Sequence, residues 1–305
     1  MDYRIVVIAL GLMVVAACGN VKDKTTTGRL SIVTTTGMIE DAVKNIVKDS
    51  ADVQALMGPG VDPHLYKATQ GDLERLTQAD AIFYNGLHLE GKMGEVLSKL
   101  GVRKPVVAVA DQIDTTKLKS APNYGYAIDP HVWFDVSLWT EAVITAKKAM
   151  QEIDSANAEY YEQNAKAYIT ELEALHLWIK EEIDKIPTDQ RILITAHDAF
   201  GYFGEAYNID VRGLQGISTL SEYGLKDVSD LVNFIVKNKI KAVFVETSVP
   251  QRAINAVVEG CKQRGFDVKI GGNLYSDAMG AKGTPEGTYI GMVRANVNTI
   301  VNALK

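Results

Sequence analysis

The chain has 305 residues, enough for two lobes that each bury a full core, and its composition, 47% hydrophobic and 23% charged, is that of an ordinary soluble globular protein. A formal net charge of −6 with no long basic run excludes a nucleic-acid binder, because phosphate backbones demand a dense basic face.

At the N-terminus, Arg4 precedes an apolar run from Ile5 to Val15, too short to span a bilayer but the right length for the apolar part of a secretion signal. Small residues then lead to a cysteine, Val15-Ala16-Ala17-Cys18-Gly19, which resembles a bacterial lipobox. Residues 1–17 therefore read as a signal peptide and Cys18 as the acylated first residue of the mature chain. A plain secretory signal cut near Ala17 is the simpler alternative. Acylation of Cys18 leaves Cys261 without a disulfide partner, so stability must come from packing. Residues 18–28, with Thr25-Thr26-Thr27, read as a short polar tether. Nothing later resembles a membrane span. These features place the protein outside the cytoplasm, held to a bacterial membrane by lipid.

Beyond the tether, short apolar runs alternate with helical patterns. Leu30 to Thr34 predicts a buried strand, and Met38 to Val47 has helical spacing. Val53 to Met57, Ala81 to Tyr84 and Val106 to Ala110 predict three more strands. A second set follows at Arg191 to Thr195, Ile209 to Val211, Lys241 to Val245, and Val268 to Ile270, the last ended by Gly271-Gly272. Such alternation predicts an α/β fold of two lobes, each with a roughly four-stranded, mainly parallel sheet flanked by helices. Between them, Ser155 to Ile186 predicts one long rigid linker helix stopped by Pro187. Its apolar stripe is Ala165, Tyr168, Leu172, Leu175, Ile179, Ile183 and Ile186. As a continuous rod it would measure roughly 45–50 Å and resist hinge bending, which predicts small lobe motion on ligand binding. The divisions are 29–154 for the first lobe, 155–187 for the linker helix and 188–305 for the second lobe.

Four residues at loop-forming breaks carry the chemistry: His64, His131, His197 and Asp277. They stand 67, 66 and 80 positions apart (131 − 64, 197 − 131, 277 − 197), far too widely for one local motif. In open α/β sheets ligands bind beyond the carboxyl ends of the strands, so these residues can converge on one cleft, two from each lobe. Imidazoles and a carboxylate are donors that zinc, manganese or ferrous iron accept. Singly, each residue has an ordinary reading as a solvated loop histidine or, for Asp277, a helix cap at Ala278. The placement of three of the five histidines at corresponding strand ends argues for the site. His88 reads as an exposed turn residue and His176 as a flank residue of the linker helix. Asp62, Asp129, Asp198 and Glu246 are candidates to orient the imidazoles; for Glu246 the alternative is a cap on the next helix. Trp133, Trp139 and Trp178 lie in or beside helices and read mostly as core.

Several runs together resemble the TroA-like (cluster A-I) family, the zinc- and manganese-binding proteins of bacterial ABC importers. They are Asp62-Pro63-His64, Asp129-Pro130-His131-Val132-Trp133-Phe134-Asp135, Thr195 to Phe203, Gly271 to Gly280 and Glu286 to Met292. The resemblance runs in order from about Arg29 to the end. It implies two lobes joined by a rigid helix, with metal ligands His64, His131, His197 and Asp277. It also implies Zn2+ or Mn2+ as cargo, with Fe2+ a further candidate, and an ABC permease of the same importer as partner of a monomeric protein. The stretch from Gly91 to Ala127 has no histidine, so the His-rich loop of many zinc-specific relatives is missing. His197 stands where manganese-specific relatives often carry glutamate. Three imidazoles and one carboxylate suit zinc, while manganese prefers more oxygen, which a bidentate Asp277 would supply. The Irving–Williams order predicts tighter zinc binding in vitro.

Two other classes compete. A zinc hydrolase would keep an open position for water and usually three protein ligands. Four ligands would close that position, and neither His-Glu-x-x-His nor Gly-x-Ser-x-Gly is present, so the chain reads as a binding protein and not an enzyme. A surface adhesin or interaction lipoprotein is the other alternative, though no segment marks a host-binding face.

Overall fold

The structure is a computed structural model that describes residues 28–121, 128–221 and 223–305. The signal peptide, Cys18 and the tether up to residue 27 lie outside the described residues. Among the described residues, no helix is long and apolar enough to cross a membrane.

The first lobe is built on strands β1 (Leu30–Thr34), β2 (Ala51–Ala55), β3 (Ala81–Tyr84) and β4 (Val106–Ala108). They form one parallel sheet in the order β2-β1-β3-β4. Successive side chains on a strand point to opposite faces, and here the alternation fills two separate cores. Ile32 and Phe83 enter the main core with helix α1 (Gly37–Val47), whereas Val33 and Ile82 join Leu76 and Leu97 on the other face. Leu76 comes from α2 (Gln70–Gln78) and Leu97 from α3 (Gly94–Gly101). Thr69 starts α2 with a reciprocal capping box to Asp72.

Helix α4 (Val136–Ile153) begins at Asp135, whose carboxylate accepts the Ser137 N–H at 2.8 Å. The long helix follows as α5 (Ala158–Ile183), preceded by a 3-10 turn at Ser155–Asn157. It is shorter than the sequence pattern suggests at both ends, because the chain tightens into the 3-10 turn at its start and leaves the helix at Asp184, so Ile186 lies in the turn beyond; 26 residues make a rod of about 39 Å. All seven predicted stripe residues are buried. They pack against α1 and α4 on one side and against α6 (Gly201–Tyr207) and α9 (Tyr289–Leu304) on the other. One continuous apolar core therefore runs along α5 through both lobes.

The second lobe carries β5 (Ile192–His197), β6 (Asp210–Gln215), β7 (Ala242–Glu246) and β8 (Lys269–Leu274), with α7 (Leu225–Asn238) and α8 (Arg252–Gln263). These four strands form two hydrogen-bonded parallel pairs, β5-β6 and β7-β8, rather than one continuous ladder. At the end of β5 the backbone N–H groups of Ala196 and His197 go to the Glu246 carboxylate, at 2.7 and 2.9 Å, instead of to a neighbouring strand. Gly271-Gly272 does not end β8. The pair lies at a register shift inside it. A Cβ on Gly271 would meet Ala303, Phe244 and Ala242 at 2.8–3.0 Å, so only glycine lets α9 pack this closely. Beyond the bulge the strand continues to Leu274, three residues short of Asp277.

Candidate metal centre

Each of the four candidates is delivered by an element that fixes its backbone first. His64 sits in the loop between β2 and α2, where the Asp62 carboxylate accepts the N–H groups of His64 (2.8 Å) and Leu65 (3.4 Å). His131 follows Pro130 and precedes a 3-10 turn at Val132–Phe134. Its backbone N–H is accepted by Asp129 at 3.0 Å. His197 is the last residue of β5, not two residues past it. Asp277 follows β8 and caps no helix, since the next helical turn is Pro285–Gly287. Glu246 ends β7 and caps no helix either, because α8 starts at Arg252.

The four side chains meet between the lobes, and none is more than 3% exposed. One donor atom from each lies within 4.8 Å of all the others. His64 Nε2 is 3.3 Å from His131 Nε2. Asp277 Oδ1 is 3.4 Å from His131 Nε2, and Oδ2 is 3.3 Å from His197 Nε2 and 3.7 Å from His64 Nε2. Bonds of about 2.0–2.2 Å to a tetrahedral cation place its donors roughly 3.3–3.6 Å apart. The measured spacings are close to the edges of such a tetrahedron. Both Asp277 oxygens and His197 Nε2 are buried without a hydrogen-bond partner. Orphaned polar atoms in a dry interior are unfavourable unless something else satisfies them.

The orienting groups divide unevenly. Asp129 Oδ1 lies 2.7 Å from His131 Nδ1 and accepts its proton, which leaves Nε2 to face the cluster. Glu246 Oε2 approaches His197 Nδ1 at 2.5 Å, although the contact is not aligned as a hydrogen bond. The two other expected partners behave differently. Asp62 does not touch the His64 ring. Its second oxygen instead accepts the Thr219 hydroxyl of the second lobe at 2.6 Å. Asp198 makes no hydrogen bond to any of the three imidazoles. His88 is exposed, and His176 pairs through Nδ1 with the Tyr207 hydroxyl at 3.0 Å, so neither joins the cluster.

Electrostatics follow this geometry. Burial pushes the His64 imidazole down to about 3, and Asp277 only partly opposes it. Burial works the same way on His131, but the Asp129 and Asp277 carboxylates outweigh it and push His131 up to about 9. His197 is also buried, and Glu246 with Asp277 holds it well above the ordinary imidazole range. Burial disfavours ionised Asp277, yet His197 and His131 hold its carboxyl well below the usual carboxylate range. Three carboxylates, those of Asp129, Asp277 and Glu246, thus surround the imidazoles of His131 and His197.

Two contacts escape sequence reading. Thr219 has no motif around it. Trp133, expected in the core, is buried there and also donates its indole N–H to the Ser276 carbonyl at 3.0 Å. Its position two residues after His131 is the one available signal.

Residues 32–303 match the family model ZnuA, zinc-uptake complex component A periplasmic. The chain is 52% identical over 277 residues to the manganese-binding lipoprotein MntA of Bacillus subtilis (strain 168), covering 91% of this chain and 90% of that one. It is 46% identical over 300 residues to the zinc-binding protein TroA of Treponema pallidum (strain Nichols), covering 98% and 96%. The solved periplasmic zinc-binding protein TroA from Treponema pallidum superposes with a TM-score of 0.89 at 47% identity, over 91% of this chain and 99% of that chain. With its two α/β lobes tied by a long helix, the chain belongs to the ZnuA family of periplasmic zinc-uptake complex components.

Proposed function

We propose that this protein captures one divalent transition-metal ion, Zn2+ or Mn2+, between its lobes and hands it to the ABC permease of a bacterial importer. The ligands in this reading are His64 Nε2, His131 Nε2, His197 Nε2 and the Asp277 carboxylate. The carrying observation is the set of 3.3–3.7 Å spacings among buried donor atoms, with both Asp277 oxygens unpartnered. The family match and the metal-binding relatives support the same reading.

Asp129 holds the His131 ring by a hydrogen bond and Glu246 sets its charge beside the His197 ring, which raises the basicity of both imidazoles as ligands. Asp277 can offer one oxygen to zinc or two to manganese. Four protein ligands fill a tetrahedral zinc shell and leave no position for an activated water, so the protein carries its ion and performs no chemistry on it. The working divisions are a leader (1–17) and a tether (18–28) acylated at Cys18. A first lobe (29–154), a tie (155–187) and a second lobe (188–305) follow. The lipid end keeps a monomeric protein outside the cytoplasm, beside its permease.

The test is metal content. Protein stripped with chelator and dialysed against Zn2+ or Mn2+ should retain one ion per chain. The His64→Ala/His197→Ala double variant should retain none. Stoichiometric metal on the double variant would remove the assignment.

A further inference from the structure

We propose that Trp133 is a positioning residue that fixes Asp277 across the lobe interface and so controls how much oxygen coordination the centre offers. The proposal rests on the metal-capture reading. His131 and His197 each have a carboxylate at the ring nitrogen turned away from the centre. Asp277 has no such support, for neither of its oxygens has a hydrogen-bond partner. Its orientation must therefore come from the backbone that carries it.

That backbone is pinned at the two residues before it. The Tyr275 N–H and carbonyl are both held by the Asn296 amide of α9, at 2.9 and 2.7 Å. The Ser276 carbonyl accepts the Trp133 indole N–H at 3.0 Å, and the Ser276 hydroxyl lies 2.7 Å from the Ser248 hydroxyl. Asn296 and Ser248 belong to the second lobe, and Trp133 reaches in from the first. The same indole meets the His131 ring edge-on, with centroids 5.1 Å apart and planes at 67°. The Trp133 carbonyl accepts the buried Tyr289 hydroxyl at 2.7 Å. One side chain thus touches a ligand ring of its own lobe and the residue that precedes the ligand of the other.

The consequence differs between ions. Zinc accepts a single carboxylate oxygen and is held by the three imidazoles. Manganese relies more on oxygen, so it needs Asp277 aimed with both oxygens at the centre. Loss of the indole N–H should loosen Asp277 and reduce manganese binding before zinc binding.

Chelator competition on Trp133→Phe tests this. The expected result is a loss of about tenfold or more for Mn2+, the usual range for removing an orienting partner, with less than about threefold for Zn2+. Equal losses for the two ions, or none, would overturn the proposal. Because phenylalanine also leaves a void, a second measurement uses the unaltered sequence labelled with 15N at its indoles. The Trp133 N–H signal should exchange slowly and shift when Zn2+ is added. A signal that does not move on metal addition, and exchanges as fast as that of half-buried Trp178, would overturn it too. If the unaltered protein binds neither ion, the metal-capture reading itself has failed, and the proposal with it.

Discussion

The two Asp-Pro-His loops share a tripeptide and differ in what the aspartate does. Asp129 turns back on its own histidine, taking the His131 ring proton and backbone N–H with one oxygen. Asp62 takes only backbone N–H groups on its near side and spends its other oxygen on Thr219 in the second lobe. One loop sets its imidazole against a carboxylate, which pushes its pKa up; the other leaves its imidazole to burial, which pushes it down, and makes a bond between lobes. The same tripeptide thus gives one loop whose aspartate holds its own imidazole and one whose aspartate bonds to the second lobe.

The comparison breaks most clearly on removal of the rings. His131→Ala should abolish metal retention and also destabilise the metal-free protein by about 3–5 kcal/mol, because buried Asp129 loses its partner. His64→Ala should abolish metal retention with a much smaller change in metal-free stability, since its ring is held neutral. Urea unfolding of chelator-treated protein separates the two. Equal destabilisation would mean that the loops are equivalent after all.

The aspartates come next. Asp129→Asn should weaken zinc binding about 10–100-fold, the usual effect of removing a group that orients a ligand. Asp62→Asn retains an acceptor for the His64 N–H and should weaken it less than about threefold on the same basis. Competition with a fluorescent zinc chelator gives both values.

The pH dependence of metal-free stability should show two limbs. His131 has a folded value near 9 against an ordinary 6.5, so its contribution is full below 6.5 and lost as pH rises through about 9. His64 has a folded value near 3, so below 6.5 the unfolded chain binds the extra proton and stability falls as pH falls. His131→Ala should flatten the alkaline limb and His64→Ala the acid limb. If each variant alters the opposite limb, the assignment of charge is reversed. The smallest effect concerns Thr219→Val, which removes the bond to Asp62. It should leave equilibrium affinity nearly unchanged and speed zinc release a few-fold in stopped flow. An unchanged release rate would show that this bond does not restrain the loop.

Much of the framework was legible in the sequence. The stripe from Ala165 to Ile183 on α5 repeats at three and four residues because a helix turns every 3.6, and it is buried, as is Ile186 in the turn beyond. Strands β1 and β3 were legible to the residue as apolar runs, since a parallel sheet covered on both faces needs no polar alternation. The convergence of the four was expected from placement after strands for His64, His197 and Asp277, and ahead of a helix for His131, which follows no strand end. Less was legible where a partner is distant in sequence. Nothing near Asp62 marks Thr219, 157 residues away, as the hydroxyl that donates to it. Nor does the Trp133 indole, apolar over most of its surface, reveal that its single N–H ends on Ser276. Gly271-Gly272 looked like a strand terminus because glycine breaks strands, yet here it allows α9 to approach. The division of the second lobe into two strand pairs was not legible either, nor was the bonding of the Glu246 carboxylate on β7 to the Ala196 and His197 N–H groups at the end of β5.

The most direct test is anomalous diffraction from crystals loaded with zinc and, separately, with manganese. One peak per chain should lie between the lobes at about 2.0–2.2 Å from His64 Nε2, His131 Nε2, His197 Nε2 and an Asp277 oxygen. A peak outside this cluster, or ordered crystals with no peak after soaking in either ion, would contradict a centre built by four distant residues.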